Sequence, residues 1–188
     1  MTFLQDTNCT ANISIGPETV SEALDKLRTN KQDGSQLSSN HLLLAAPVLD
    51  EFLSKFFTVI IRHGYMPKLL RNCTLIPIPK PGKDPSLSDN YRPIALAPNL
   101  SKVLEWCILL QFGSYLSTSD LQFGFKSGAS TDSCTGLLKN TIALHFHCKT
   151  KVYSCFLDAS KAFDRVSHNT LFNILQKRGV PPILLCFL

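Results

Sequence analysis

The sequence predicts an α+β fold on three observations. Apolar pairs recur every four residues over 47–62, as on one face of a long helix. The run CTLIPIP is short, apolar and β-branched, and it enters a charged, Pro- and Gly-rich turn that leads to a second extended piece, RPIALA. VYSCFL, residues 152–157, is six residues of buried-strand character ending abruptly at Asp158.

Taken in order, the first helix is expected over 17–29. Pro17 suits its first turn, Glu18 complements the dipole, and Val20, Ala23, Leu24 and Leu27 form one stripe. After a polar break at 30–39 containing Asp33-Gly34, a second helix is expected from about Pro47 to Arg62. It carries Val48/Leu49, Phe52/Leu53, Phe56/Phe57 and Ile60/Ile61, with Gly64 as terminator. CTLIPIP and RPIALA then read as a hairpin with a flexible, cationic tip. Asn99 is expected to cap a helix over 101–116 whose apolar positions include Val103, Leu104, Cys107, Ile108 and Leu110. Another helix starts near Ser130–Asp132 and carries Leu137, Leu138, Ile142 and Leu144. Ser167 caps a last one that runs to Gly179. The helices over 101–116 and 133–147 are expected to pack around VYSCFL.

Composition bounds the function. The chain has 188 residues, 44% hydrophobic and 18% charged. That is too apolar for a disordered chain and long enough for one domain or one plus part of another. Residues 1–50 hold three basic against six acidic side chains, net −3. Residues 51–188 hold 16 against 8, net +8. A basic body suits a polyanionic partner. The seven cysteines (Cys9, Cys73, Cys107, Cys134, Cys148, Cys155, Cys186) include no C-x-x-C and several lie in apolar runs, so reduced, mostly buried thiols are expected. His145, His147, Cys148 and Cys155 lack the paired spacing of a zinc module. No secretory signal opens the sequence. The most apolar stretch, 42–61, carries Asp50, Glu51 and Lys55, against a membrane span. An intracellular protein, nuclear or cytoplasmic, is the expectation.

Three elements carry chemistry. FLDASKAFD places Asp158 at a strand end, where a carboxylate can hold Mg²⁺, and puts the aromatic Phe163 five residues later. The bland alternatives are a turn-capping Asp158, a core Phe163 and a backbone-bound Asp164. IPIPKPGKD and DNYRPIAL put Lys80, Lys83 and Arg92 on the hairpin, cations suited to a triphosphate. LQFGFKSGAST, 121–131, combines glutamine, glycines, aromatics and a lysine in a turn suited to nucleic acid.

In that order and spacing, LIPIPKPG…DNYRPIAL, QFGFKSG and FLDASKAFD resemble the reverse transcriptases of non-LTR (LINE-type) retrotransposons, over about residues 60–188. The resemblance implies the fingers and partial palm of a right-hand polymerase at 63–188, with a helical N-terminal extension at 1–62. It implies Asp158 as the first catalytic aspartate and Asp158 with the Ala159 carbonyl as Mg²⁺ ligands. It implies Phe163 as the steric gate against a ribose 2′-hydroxyl, and Arg92 and Lys80 (or Lys83) over the incoming triphosphate. Gln122, Gly124, Phe125 and Lys126 would touch the template, with Lys126 where the family usually has arginine. The implied partners are an RNA template, a DNA primer and deoxynucleoside triphosphates, with no membrane.

The departures are specific. Neither the later Q-G-x-x-x-S-P element nor any pair of adjacent aspartates occurs. The chain is therefore read as the amino-terminal part of an enzyme, with an incomplete two-metal site. Two rivals stand beside the polymerase reading. An aspartyl phosphatase would need a second aspartate where Ser160 stands. A catalytically dead remnant would at most bind nucleic acid.

Overall fold

The structure, a computed structural model, describes residues 13–34, 37–159 and 161–188. Cys9, the N-terminal segment judged free of a signal, and Ser160 lie outside the described residues. Two compact units divide the chain: residues up to 115 together with 172–188, and residues 116–171.

The first unit holds the core. Helix α1, Pro17–Asp25, buries Val20, Ala23 and Leu24, as its stripe requires. Helix α2, Ser39–His63, begins eight residues before the expected start. Pro47, the expected start, lies inside the helix, where a missing N–H is costly. What overrides it is the start at Ser38. Its hydroxyl accepts from the His41 N–H, the His41 ring accepts from the Ser38 N–H, and Leu42 is buried in the next turn. Of the four apolar pairs, Leu53, Phe57, Ile60 and Ile61 enter the core, while Val48 and Phe52 stay exposed. Gly64 ends α2 in the left-handed conformation, φ 57°, as expected.

Three polar groups one turn apart on α2 hold the segment before α1. Ser54 donates to the Ile15 carbonyl at 2.6 Å, Thr58 accepts from the Ile15 N–H at 2.9 Å, and the Arg62 Nε donates to the Ile13 carbonyl at 2.8 Å. A short helix, α3 (Lys68–Arg71), leads into β1, Thr74–Pro79, which pairs antiparallel with β2, Tyr91–Leu96. This two-stranded hairpin is the sheet of the described residues.

Helix α4, Asn99–Phe112, buries Val103, Leu104, Cys107 and Ile108 against the same core, and a 3₁₀ turn follows it. Asn99 does not cap it. Pro98 holds the cap position, and the buried Asn99 amide instead donates to the Leu37 carbonyl at 2.9 Å and the Lys31 carbonyl at 3.3 Å. The Lys31 carbonyl also accepts from the Ser39 N–H at 2.8 Å. Helix α7, Pro182–Phe187, adds Ile183 and Leu184 to the core, packing on α2. The expectation of mostly buried thiols fails: of the described cysteines only Cys107 is buried, and Cys73, Cys134, Cys148, Cys155 and Cys186 are exposed. Burial pushes the Cys107 thiol up to about 12.

The second unit has helix α5, Thr131–His147, capped by the Ser130 hydroxyl as expected, and the start of α6, His168–Lys177, capped by Ser167. Among the described residues of 116–171 none is buried. The expected strand is absent here: residues 152–157 are irregular and exposed, with Phe156 at 80% and Leu157 at 94%. A strand needs a ladder partner for its N–H and C=O groups and a covered apolar face. VYSCFL has neither among the described residues, and α5 has no buried residue to pack on it. No described helix is long and apolar enough to cross a membrane.

Phe57 is wholly buried and Phe52, five residues before it, is 63% exposed. Phe57→Ala should therefore cost about 3–5 kcal/mol of unfolding free energy, and Phe52→Ala less than about 1 kcal/mol. Urea denaturation of the two variants measures the difference; equal losses would place Phe57 outside the core.

Candidate functional site

The basic hairpin folds as a closed, hydrogen-bonded tip rather than the flexible connection expected. Register pairs Ile78 with Arg92 and Pro79 with Tyr91, and the Lys80 N–H donates to the Asn90 carbonyl at 2.8 Å. Asp84 turns the tip by accepting from the Ser86 N–H at 2.9 Å, and that bond, then the Ser86 hydroxyl, holds its carboxyl below the ordinary range. Asn90 Nδ2 donates to the Asp84 carbonyl and the Tyr91 hydroxyl to the Pro85 carbonyl, 2.8 and 2.9 Å. Within this frame the two candidate lysines differ. The Lys80 ammonium donates to the Asp89 carbonyl at 2.7 Å and is half-buried, whereas Lys83 is exposed, as is Arg92 on β2. Pro77 opposite Pro93 leaves no N–H to donate at that rung, a feature tolerated in a two-stranded ribbon.

The turn over 119–129 in the second unit is likewise built from its own polar groups. Gln122 Nε2 donates to the Gly124 carbonyl at 3.0 Å. The Lys126 ammonium donates to Asp120 Oδ1 at 2.8 Å and to the Ser119 carbonyl at 3.3 Å. Phe125, in the left-handed region at φ 56°, projects almost fully into solvent. Its ring meets that of Phe163 edge-on, centroids 6.1 Å apart at 85°. The structure thus brings together one residue of the expected template element and the expected sugar gate.

Asp158, Ala159 and Asp164 are exposed. Among the described residues no three of His, Cys, Asp or Glu gather where they could hold a metal, the His145/His147/Cys148 group included. Asp158 and one carbonyl do not fit a two-ion site by themselves.

The sequence reading missed a cavity of about 430 Å³ in the first unit, lined by Lys26, Arg28, Lys31, Lys102 and Trp106 among others. Its only sequence signal is weak: three cations just past α1, and Lys102 one turn before the sole tryptophan.

With this geometry in view, comparison with known proteins places the chain. Residues 78–187 match the family described as Reverse transcriptase (RNA-dependent DNA polymerase), more than half of the chain, and the chain belongs to that family. Its relatives include mobile-element enzymes, in agreement with the non-LTR retrotransposon resemblance. One is the RNA-directed DNA polymerase from mobile element jockey of Drosophila funebris, 36% identical over 80% of this chain and 17% of the relative. Two are from Drosophila melanogaster. The probable RNA-directed DNA polymerase from transposon BS is 32% identical over 85% and 18%, and that from transposon X-element is 33% identical over 81% and 17%. The chain spans less than a fifth of the length of each.

The ion pair that occupies Lys126 is measurable. Hydrogen bonding to Lys126, then its charge, holds the exposed Asp120 carboxyl below its ordinary value. A depressed carboxyl stabilises the turn above its unfolded pKa, and this is lost as pH falls through the folded value. NMR titration should find Asp120 below the ordinary aspartate range and Lys126→Gln should return it upward; an unmoved titration in the variant would show that the pair does not persist in solution.

Proposed function

We propose that this chain carries the fingers and part of the palm of an RNA-directed DNA polymerase, residues 63–188, behind a helical extension, 1–62. Membership of the reverse transcriptase family is the observation that carries the reading. The exposed Arg92 on a rigidly closed hairpin supports a role for it over the incoming triphosphate, with Lys83 free of the backbone bond that holds Lys80. Lys80 keeps its place as a nucleotide-binding candidate if the Asp89 carbonyl is exchanged for phosphate. Phe163 serves as the steric gate below the deoxyribose, and Gln122, Gly124, Phe125 and Lys126 face the template strand. For Lys126 to reach a phosphate, its pair with Asp120 must open. Asp158 and the Ala159 carbonyl are the contribution of these residues to a divalent-metal site. RNA template, DNA primer and deoxynucleoside triphosphates are the partners of this reading, and an intracellular location goes with them.

A second reading concerns residues 1–188 by themselves. The exposure of 152–157, the segment that leads to Asp158, favours a protein that binds nucleic acid without polymerising.

One assay separates the two, extension of a DNA primer on an RNA template with Mg²⁺. Residues 1–188 alone should give no extension. A polymerase that contains this chain should extend, lose activity with Asp158→Ala, and show with Arg92→Ala a KM for deoxynucleotides raised about ten- to a hundredfold, the loss of one charge-assisted contact. Unchanged KM would remove Arg92 from the nucleotide site. Extension by residues 1–188 that Asp158→Ala abolishes would show that a complete site forms from these residues.

A further inference from the structure

The cavity beside α1 and α4 is unused by the reading above. Leu27 and Leu109 give it apolar wall, and Trp106 is 38% exposed at its lining. Four cations line it, Lys26, Arg28, Lys31 and Lys102, against one carboxylate, Glu105, so the local charge is +3. Three of these cations belong to an N-terminal segment whose net charge is negative, and the cluster arises from folding: Lys102 and Trp106 come from α4, more than 70 positions beyond them. Two part-buried contacts of the Asn99 amide hold the Lys31 and Leu37 carbonyls against α4, and the Lys102 ammonium lies 3.4 Å from the Asn99 oxygen. The walls are therefore held by the core and not by the cations themselves. Lys26 is shared with Glu22 at 3.7 Å, an exposed pair that a stronger anion can displace.

We propose that this cavity takes one nucleotide of a single-stranded nucleic acid, its base against the Trp106 ring and its phosphate among Arg28, Lys31 and Lys102. The volume is within the range of small-ligand sites, and an aromatic face beside cations is the chemistry that holds unpaired bases without regard to sequence. An acidic peptide would use the cations and leave the indole face without a partner; the ring is what favours nucleic acid. The inference deepens the polymerase reading, on which it rests for the presence of RNA, by giving the N-terminal helices a strand contact of their own.

Trp106 is the only tryptophan in the chain, so its emission reports on this cavity alone. Residues 1–188 are titrated with a short, fluorescein-labelled single-stranded RNA, reading anisotropy and tryptophan emission together. Saturable quenching that tracks the anisotropy and weakens with salt is expected. The double variant Arg28→Glu/Lys31→Glu, with both side chains exposed and folding checked by circular dichroism, should lose affinity by on the order of tenfold or more together with the quench. The variant Lys55→Ala/Lys68→Ala, which removes two exposed cations away from the cavity, should keep the quench. RNA binding with unchanged Trp106 emission, or wild-type binding by the double variant, overturns the cavity alone. Quenching by polyglutamate equal to that by RNA overturns the choice of ligand. Absence of any RNA binding overturns the cavity and the template reading together. The emission test needs no variant, so it decides the matter even if the double variant fails to fold.

Discussion

Packing of α1 against both α2 and α4 is the interaction on which the first unit of the protein depends. Val20, Ala23 and Leu24 bring to it a short, smooth face, and Phe57, Ile61, Val103, Leu104 and Cys107 close around that face with almost no exposure. Nine residues of helix could not persist alone, since nucleation is costly and the segment is short. The helix is held instead at both ends. Ahead of it, the Ser54, Thr58 and Arg62 bonds fasten residues 13–15 along α2. Behind it, the Asn99 amide fastens the Lys31 and Leu37 carbonyls to α4. The cation-lined cavity and the root of the basic hairpin both hang from this arrangement, because Lys31, Asn99 and Lys102 belong to it.

No comparable core supports the second unit. Its helix α5 has no buried residue, and its polar groups close local turns: Ser130 to Ser133, His145 to Thr150, Lys126 to Asp120. These bonds set local shape without burying surface. The apolar run before Asp158 is consequently left in water, a state that calls for a partner strand and a covering face. The position of a strand-end carboxylate is only as well defined as the ladder that holds its strand.

What the sequence made legible follows from how local each signal is. The four-residue apolar recurrence, the Gly64 terminator and the Ser130 and Ser167 caps depend on neighbours a few residues away, the hairpin of CTLIPIP with RPIALA on the next extended segment, and all are present. Family membership was legible for a related reason, since the motifs are contiguous strings. The misreadings involve distant partners. Pro47 suggested a helix start, but the Ser38 cap and buried Leu42 extend α2 through it. Asn99 looked like a cap and spends its amide on residues more than 60 positions away. VYSCFL has strand composition, yet a strand exists only by pairing. The cavity was illegible because its cations and its tryptophan lie on separate elements joined only by the fold.

Amide hydrogen exchange tests the central claim most directly, that one helical core is formed and that the Asp158-bearing segment stands unpaired. The amides of Leu53 to Ile61 and of Val103 to Ile108 should exchange slowly, near the global unfolding limit. Those of 152–157 should exchange at rates close to an unstructured peptide. Strong protection across 152–157, matching that of α4, would show a paired strand within these residues and contradict the account.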